Sequence, residues 1–227
     1  MIKNILFDVY GTLISTGTGS IEATEKILQN CNINLEAKTF YKDWKKYHRK
    51  HIDDMTTFIT EEEVFIQDLK ALFDQYGITE DAKVQIKPMI DSLYNRRVFE
   101  DTIPAIQKLQ TKYNLAIGST SDTEPLIYNM KLNQLEIDQV FTSEMLKAYK
   151  PTPEFFKKIL DQLEWQVEET IYVGDSLLDD IQGPKGIGMK AILLDRNNRY
   201  LNQILESEPD MIISSLADLD MALFCME

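Results

Sequence analysis

Five short runs of this chain, at residues 5–9, 115–118, 171–173, 191–194 and 211–213, are apolar at nearly every consecutive position and mostly rich in β-branched residues. A strand with one wet face alternates apolar and polar side chains; a strand buried on both faces has no need to. These runs are expected to form an interior sheet. The segments between them carry helical signals. Thr152-Pro153-Glu154 supplies an N-cap, a proline at the first helical position and an early acid. Phe155, Phe156, Ile159, Leu160 and Leu163 then share one helical face. Asp101 and Pro104 introduce another helix, carrying Ile106 and Leu109. Strands alternating with helices predict an α/β fold, a parallel sheet with helices on both faces.

Residues 16–97 break the alternation. They read as four helices, marked by Ile21, Ile27 and Leu28; by Phe40, Trp44 and Tyr47; by Val64, Leu69, Leu72 and Phe73; and by Val84, Ile90 and Leu93. A helical block between the first two core strands is expected to be an inserted cap domain, with residues 1–15 and 98–227 forming the core. Thr16-Gly17-Thr18-Gly19 and residues 98–101 are the expected hinges.

Composition narrows the setting. With 37 acidic against 24 basic residues, the net charge is −13, which disfavours nucleic acid and anionic membranes as partners. No apolar run approaches the roughly 20 residues needed to span a bilayer. The two cysteines, Cys31 and Cys225, lack metal-binding or redox spacing. A cytoplasmic protein, monomer or homodimer, is expected, acting on a small anionic molecule with help from local positive charge or a metal.

Four segments carry candidate chemistry. Asp8 ends the first apolar run and is followed at once by Val9-Tyr10-Gly11-Thr12. In an open parallel sheet, ligands bind beyond the carboxyl ends of the strands, and amides of such a loop can hold an oxyanion. Ser119 and Thr120 follow the second run, and Lys150 precedes Pro151. Gly174-Asp175 ends the third run, with Asp179 and Asp180 close behind. Carboxylates gathered from separate strand ends repel one another and call for a cation; oxygen ligands of this kind suit Mg²⁺. Taken singly, each segment also fits an ordinary turn, cap or solvated loop.

In this order (acid, hydroxyl, lysine, paired acids) the chain resembles the haloacid dehalogenase superfamily of hydrolases. Asp8-Val9-Tyr10-Gly11-Thr12, Ser119, Lys150, and Gly174-Asp175 with Asp179 or Asp180 match its four motifs. The resemblance implies a Rossmann-like core with a helical cap between the first and second motifs. It also implies that Asp8 is a covalent nucleophile, and that Asp8, the carbonyl of Tyr10 and Asp175 hold Mg²⁺, with Asp180 or Asp179 in the outer shell. Val9, Tyr10, Gly11, Thr12, Ser119, Thr120 and Lys150 would then bind the transferring group.

Two motifs point to different branches of that superfamily. Its phosphatases usually carry a second Asp two residues after the nucleophile, where this chain has Tyr10. Asp-x-Tyr-Gly-Thr is the dehalogenase pattern, and a phenol with a pKa of about 10 is a poor base near neutrality. Asp175, by contrast, stands where the phosphatases place a metal-binding acid. A buried carboxylate beside Asp8 is hard to tolerate without a cation, so a Mg²⁺-dependent phosphatase is expected. A metal-independent 2-haloacid dehalogenase, or a phosphate-binding protein with little turnover, is the alternative. In the cap, Lys45, Lys46, Arg49, Arg96 and Arg97 fit solvated helix faces or an anion contact. Trp44 and Tyr47 fit the core. His48 and His51, three residues apart, fit the surface better than a metal site.

Overall fold

A computed structural model describes residues 1–200, 203 and 207–226. Among them is a six-stranded, all-parallel sheet: β1 (Asn4–Phe7), β2 (Asn114–Ser119), β3 (Gln139–Thr142), β4 (Thr170–Gly174), β5 (Lys190–Leu194) and β6 (Met211–Ile213). The strands lie in the order β3-β2-β1-β4-β5-β6. This is the α/β architecture expected, with a helical insertion between β1 and β2.

The unbroken apolar runs are explained by burial on both faces. Leu6, Ala116 and Tyr172 are level across β1, β2 and β4. They pack against Phe155, Phe156 and Ile159 of the helix Pro153–Leu163. Their neighbours in sequence, Ile5, Phe7, Ile117, Ile171 and Val173, point the opposite way and are equally inaccessible. Residues 139–142 were not among the runs expected to be strands. Gln139 is exposed at this edge of the sheet and only Phe141 and Thr142 are buried, too short an apolar stretch to signal a strand by itself.

The described chain divides into two compact units. One comprises Met1–Ser15, Arg97–Thr120 and Asn133–Glu227 and contains the sheet; the other comprises Thr16–Arg96 with Ser121–Leu132. The second unit is built on the helices Gly19–Asn30, Ala37–Asp53 and Glu61–Tyr76. Its core holds Ile27, Leu28, Phe40, Trp44, Leu69, Leu72 and Phe73. Thr60 and Glu63 form a reciprocal capping box at the start of the third helix, and Gly77 ends it in the left-handed conformation at φ 67°. The expected fourth helix is instead two short turns, Ala82–Gln85 and Lys87–Asp91. Pro88 lacks an N–H and starts a new helix better than it continues one. Val84, read as part of an apolar face, is 66% exposed.

Three basic residues on the second helix have local contacts: Lys46 pairs with Asp43, Arg49 with Asp53, and Lys45 lies over the Tyr41 ring. His48 and His51 are not the free surface residues expected. Both turn Nδ1 onto the fully buried carboxylate of Asp68, at 2.8 and 2.6 Å, which the Trp44 indole N–H also reaches at 3.2 Å. No helix among the described residues is long and apolar enough to cross a membrane.

Candidate active site

Register brings the candidate residues to one end of the sheet. Phe7 is level with Ile117 on β2 and with Val173 on β4. The next residues, Asp8, Gly118 and Gly174, are therefore level with one another at that end of the sheet, with Ser119 and Asp175 one step beyond. The Asp8 amide donates to the Val173 carbonyl at 2.9 Å, carrying the ladder one residue further. Asp8 and Ser119 are buried; Asp175 and Thr120 are half-buried.

The loop after Asp8 curls back on itself. The amides of Thr12, Leu13 and Ile14 all donate to the Val9 carbonyl, and that of Gly11 donates to the Ile14 carbonyl. The amides of Gly11 and Thr12 are thus turned inward, away from the oxyanion-holding role that such a loop can play. What the loop offers instead is the Thr12 hydroxyl, buried and without a hydrogen-bond partner. Tyr10 is half-buried in the same loop and bridges to Ile14. Gly11 adopts φ +102°, and a Cβ there would lie 2.5–2.7 Å from the Asp175 carboxylate. Gly11→Ala is expected to destabilise the protein by about 1–3 kcal/mol through backbone strain, measured by denaturant unfolding, and to push Asp175 out of place.

Lys150 is the centre of the constellation. Its Nζ, 2% exposed, donates to Asp8 Oδ1 at 2.7 Å, Asp180 Oδ1 at 2.7 Å and the Tyr172 hydroxyl at 2.9 Å. An ammonium has three N–H bonds, and these three contacts use them all. Asp180 Oδ2 accepts from the amides of Asp175 and Ser176 at 3.0 and 2.9 Å. Gly174 makes room for it, since a Cβ there would lie 2.3–2.4 Å from atoms of the Asp180 side chain. Of the two acids left open by the sequence, Asp180 is the one turned into this cluster. The Asp179 amide instead donates to the Ser176 hydroxyl, the cap of this turn, at 3.2 Å.

Burial disfavours charge on Asp8, and Asp180 and Asp175 add repulsion that Lys150 only partly offsets; the carboxyl is pushed up to about 7. Burial, then Asp180, also raises Asp175, against the pull of Arg199. Burial works against the charge of Lys150 too, but attraction to Asp180 and Asp8 prevails and holds it well above the ordinary lysine range. Burial keeps the Tyr172 phenol protonated.

The donor set fits a cation. One oxygen each from Asp8, Asp175 and Asp180 lie within 4.8 Å of one another. Asp8 Oδ2 is buried with no hydrogen-bond partner, an arrangement that costs free energy unless something positive meets it. An all-carboxylate set suits a hard ion such as Mg²⁺. Because both Asp180 oxygens are already engaged, Asp8 and Asp175 have the lone pairs best placed for direct coordination.

Two neighbours were not read from the sequence as site residues. In the sequence Tyr172 reads only as part of a strand, although a polar-tipped aromatic inside an otherwise apolar strand is a flag for a buried hydrogen bond. Arg199, whose Nη2 donates to both the main-chain and side-chain oxygens of Asp175 at 2.8 Å, carries no sequence signal. Nearby, Arg196 grips Asp101 with two N–H bonds and the Thr12 carbonyl with a third contact, each at 2.9 Å.

The family model described as haloacid dehalogenase-like hydrolase matches residues 5–194. The glyceraldehyde 3-phosphate phosphatase of Methanocaldococcus jannaschii is 29% identical over 238 residues, covering 96% of each chain. Among solved structures, the HAD-hydrolase YfnB of Bacillus subtilis, bound to magnesium, matches with a TM-score of 0.82 at 21% identity over 98% of this chain and 99% of that one. The L-2-haloacid dehalogenase of Xanthobacter autotrophicus also matches with a TM-score of 0.82, at 18% identity over 100% of both. At such identities, these structures share the fold.

Proposed function

This chain belongs to the haloacid dehalogenase-like hydrolases, and we propose that within that family it is a Mg²⁺-dependent phosphatase using Asp8 as nucleophile on a small phosphomonoester. The observation that carries this reading is the Asp8–Asp175–Asp180 cluster, with Asp8 and Asp180 buried and Asp175 half-buried, in which one Asp8 oxygen has no partner. A dehalogenase attacks carbon with one carboxylate, and none of its steps calls for a metal. A metal-dependent phosphoryl transfer uses the three acids together to hold the ion. The phosphatase named among the relatives, matched along nearly its whole length, supports the same choice.

In the proposed reaction an oxygen of Asp8 attacks phosphorus as the P–O bond to the leaving alcohol breaks. Water then attacks the aspartyl phosphate, releasing inorganic phosphate and restoring the carboxylate. Bound Mg²⁺, held by Asp8, Asp175 and the Tyr10 carbonyl, would spread the charge of the transferring group. Lys150 holds Asp8 Oδ1 and neutralises charge around it. Ser119 and the Thr12 hydroxyl donate to the phosphoryl oxygens. With a phenol rather than a second acid at position 10, the departing alkoxide takes its proton from water, which favours good leaving groups. The enzyme is read as cytoplasmic, acting alone or as a homodimer.

A panel of small phosphomonoesters and 2-haloacids, assayed with Mg²⁺ and with a chelator, tests this reading. The expected result is phosphate release stimulated by Mg²⁺ and lost on chelation. Halide release independent of metal would replace the phosphatase with a dehalogenase, the reading that Tyr10 favours. Mg²⁺ binding without turnover would make the chain a binding protein.

A further inference from the structure

We propose that Tyr172 is a positioning residue for the reaction, its hydroxyl fixing the direction of the Lys150 ammonium and, through it, the Asp8 carboxylate. The inference rests on Asp8 being the reacting group. Tyr172 lies on β4, fully buried, and shares a sheet face with Gly174, two residues on. That is the face on which the Asp180 side chain fills the space left by the missing Cβ. Its ring is held edge-on by Phe156, with centroids 5.4 Å apart and planes at 82°.

The hydroxyl has a single hydrogen, which it donates to the Gly118 carbonyl at 2.7 Å. This commits its lone pairs to the other side, where Lys150 Nζ donates to it at 2.9 Å. The two remaining N–H bonds of the ammonium are then directed at Asp8 and Asp180, both at 2.7 Å. Without the hydroxyl, an ammonium between two carboxylates has three hydrogens for two acceptors. It can rotate about Cε–Nζ, and the direction in which it holds Asp8 Oδ1 is no longer set. The same hydroxyl ties β4 to Gly118, the residue immediately before Ser119. A residue serving only to fill the core would do so equally well as phenylalanine.

Tyr172→Phe keeps the ring and removes only the hydroxyl. The first measurement requires no turnover: hydrogen exchange of the Lys150 Nζ protons, observed in nitrogen-labelled protein and assigned through the side-chain carbons. In the wild type these protons are expected to exchange far more slowly than those of exposed lysines such as Lys87. In Tyr172→Phe they are expected to exchange about 10- to 100-fold faster, the equivalent of losing a hydrogen bond to a charged group. The second measurement is steady-state kinetics, where kcat is expected to fall about 10- to 100-fold with little change in KM. Wild-type protons that exchange like those of exposed lysines, or a rate that Tyr172→Phe leaves unchanged, would overturn the tether. Faster exchange with an unaltered kcat would overturn the positioning role. A wild type that turns over no substrate would sink the hydrolase reading on its own, while the exchange rates still decide the tether.

Discussion

Asp8→Asn is expected to lower phosphate release by about 10⁴-fold or more, the scale of losing a nucleophile, without unfolding the protein. Asparagine retains the shape of the side chain and can still accept from Lys150, but its amide does not attack phosphorus. The cluster loses a negative charge where, among the described residues, three carboxylates meet the two cations Lys150 and Arg199, so the chelator-treated variant should be at least as stable as the wild type. The pH dependence follows from the same site. Asp8 titrates near 3.8 in the unfolded chain and near 7 in the folded protein, chiefly because of burial. Between those values the folded state binds a proton that the unfolded state has released, so this group makes stability fall as pH rises through that window. The variant lacks that proton. Its melting temperature in chelator should match the wild type at acid pH and exceed it at neutral pH. Wild-type rates in purified Asp8→Asn would show that another group performs the chemistry.

Lys150→Met should act in the opposite way, on stability first. It leaves Asp8 and Asp180 buried beside each other with no ammonium between them, and leaves the Tyr172 hydroxyl without its donor. Removing one partner of a buried ion pair costs about 3–5 kcal/mol, readable as a lowered denaturant midpoint with an unchanged slope. Mg²⁺ should restore part of the loss, because it would compensate Asp8, one of the two carboxylates left without their ammonium. Activity should also fall, since nothing then fixes Asp8 Oδ1. A Lys150→Met protein as stable as the wild type would mean that these acids are protonated in the folded state, and the charge argument for a cation would fail with it.

How much of this was legible in the sequence depends on how local each signal is. The strands β1, β2, β4 and β5 could be read because two-sided burial requires uninterrupted apolar side chains, a property contained within a few residues; β6 could be read as an apolar run although it is an edge strand with Ile212 half-exposed. β3 could not: as an edge strand with an exposed first residue, it owes its existence to pairing with β2. The helical character of residues 16–97 was legible from apolar spacing, but the fourth pattern failed at Pro88, where backbone chemistry outweighed periodicity. His48 and His51 looked like surface residues because their common partner, Asp68, comes from another helix.

The sequence by itself determined the inventory of the site: an acid after the first strand, a hydroxyl after the second, a lysine before a proline, and acids after the fourth strand of the sheet. It did so because the ends of parallel strands fall on one side of a sheet, so a residue type at a strand end already has an address. Only the tertiary structure decided which atoms meet. It turned Asp180 rather than Asp179 into the cluster, spent all three Lys150 hydrogens on Asp8, Asp180 and Tyr172, and brought Arg199 to Asp175. The physical reason is range. Lys150 and Asp8 are 142 residues apart in the chain, and a bond between them depends on strand register and loop path. No local pattern encodes either one.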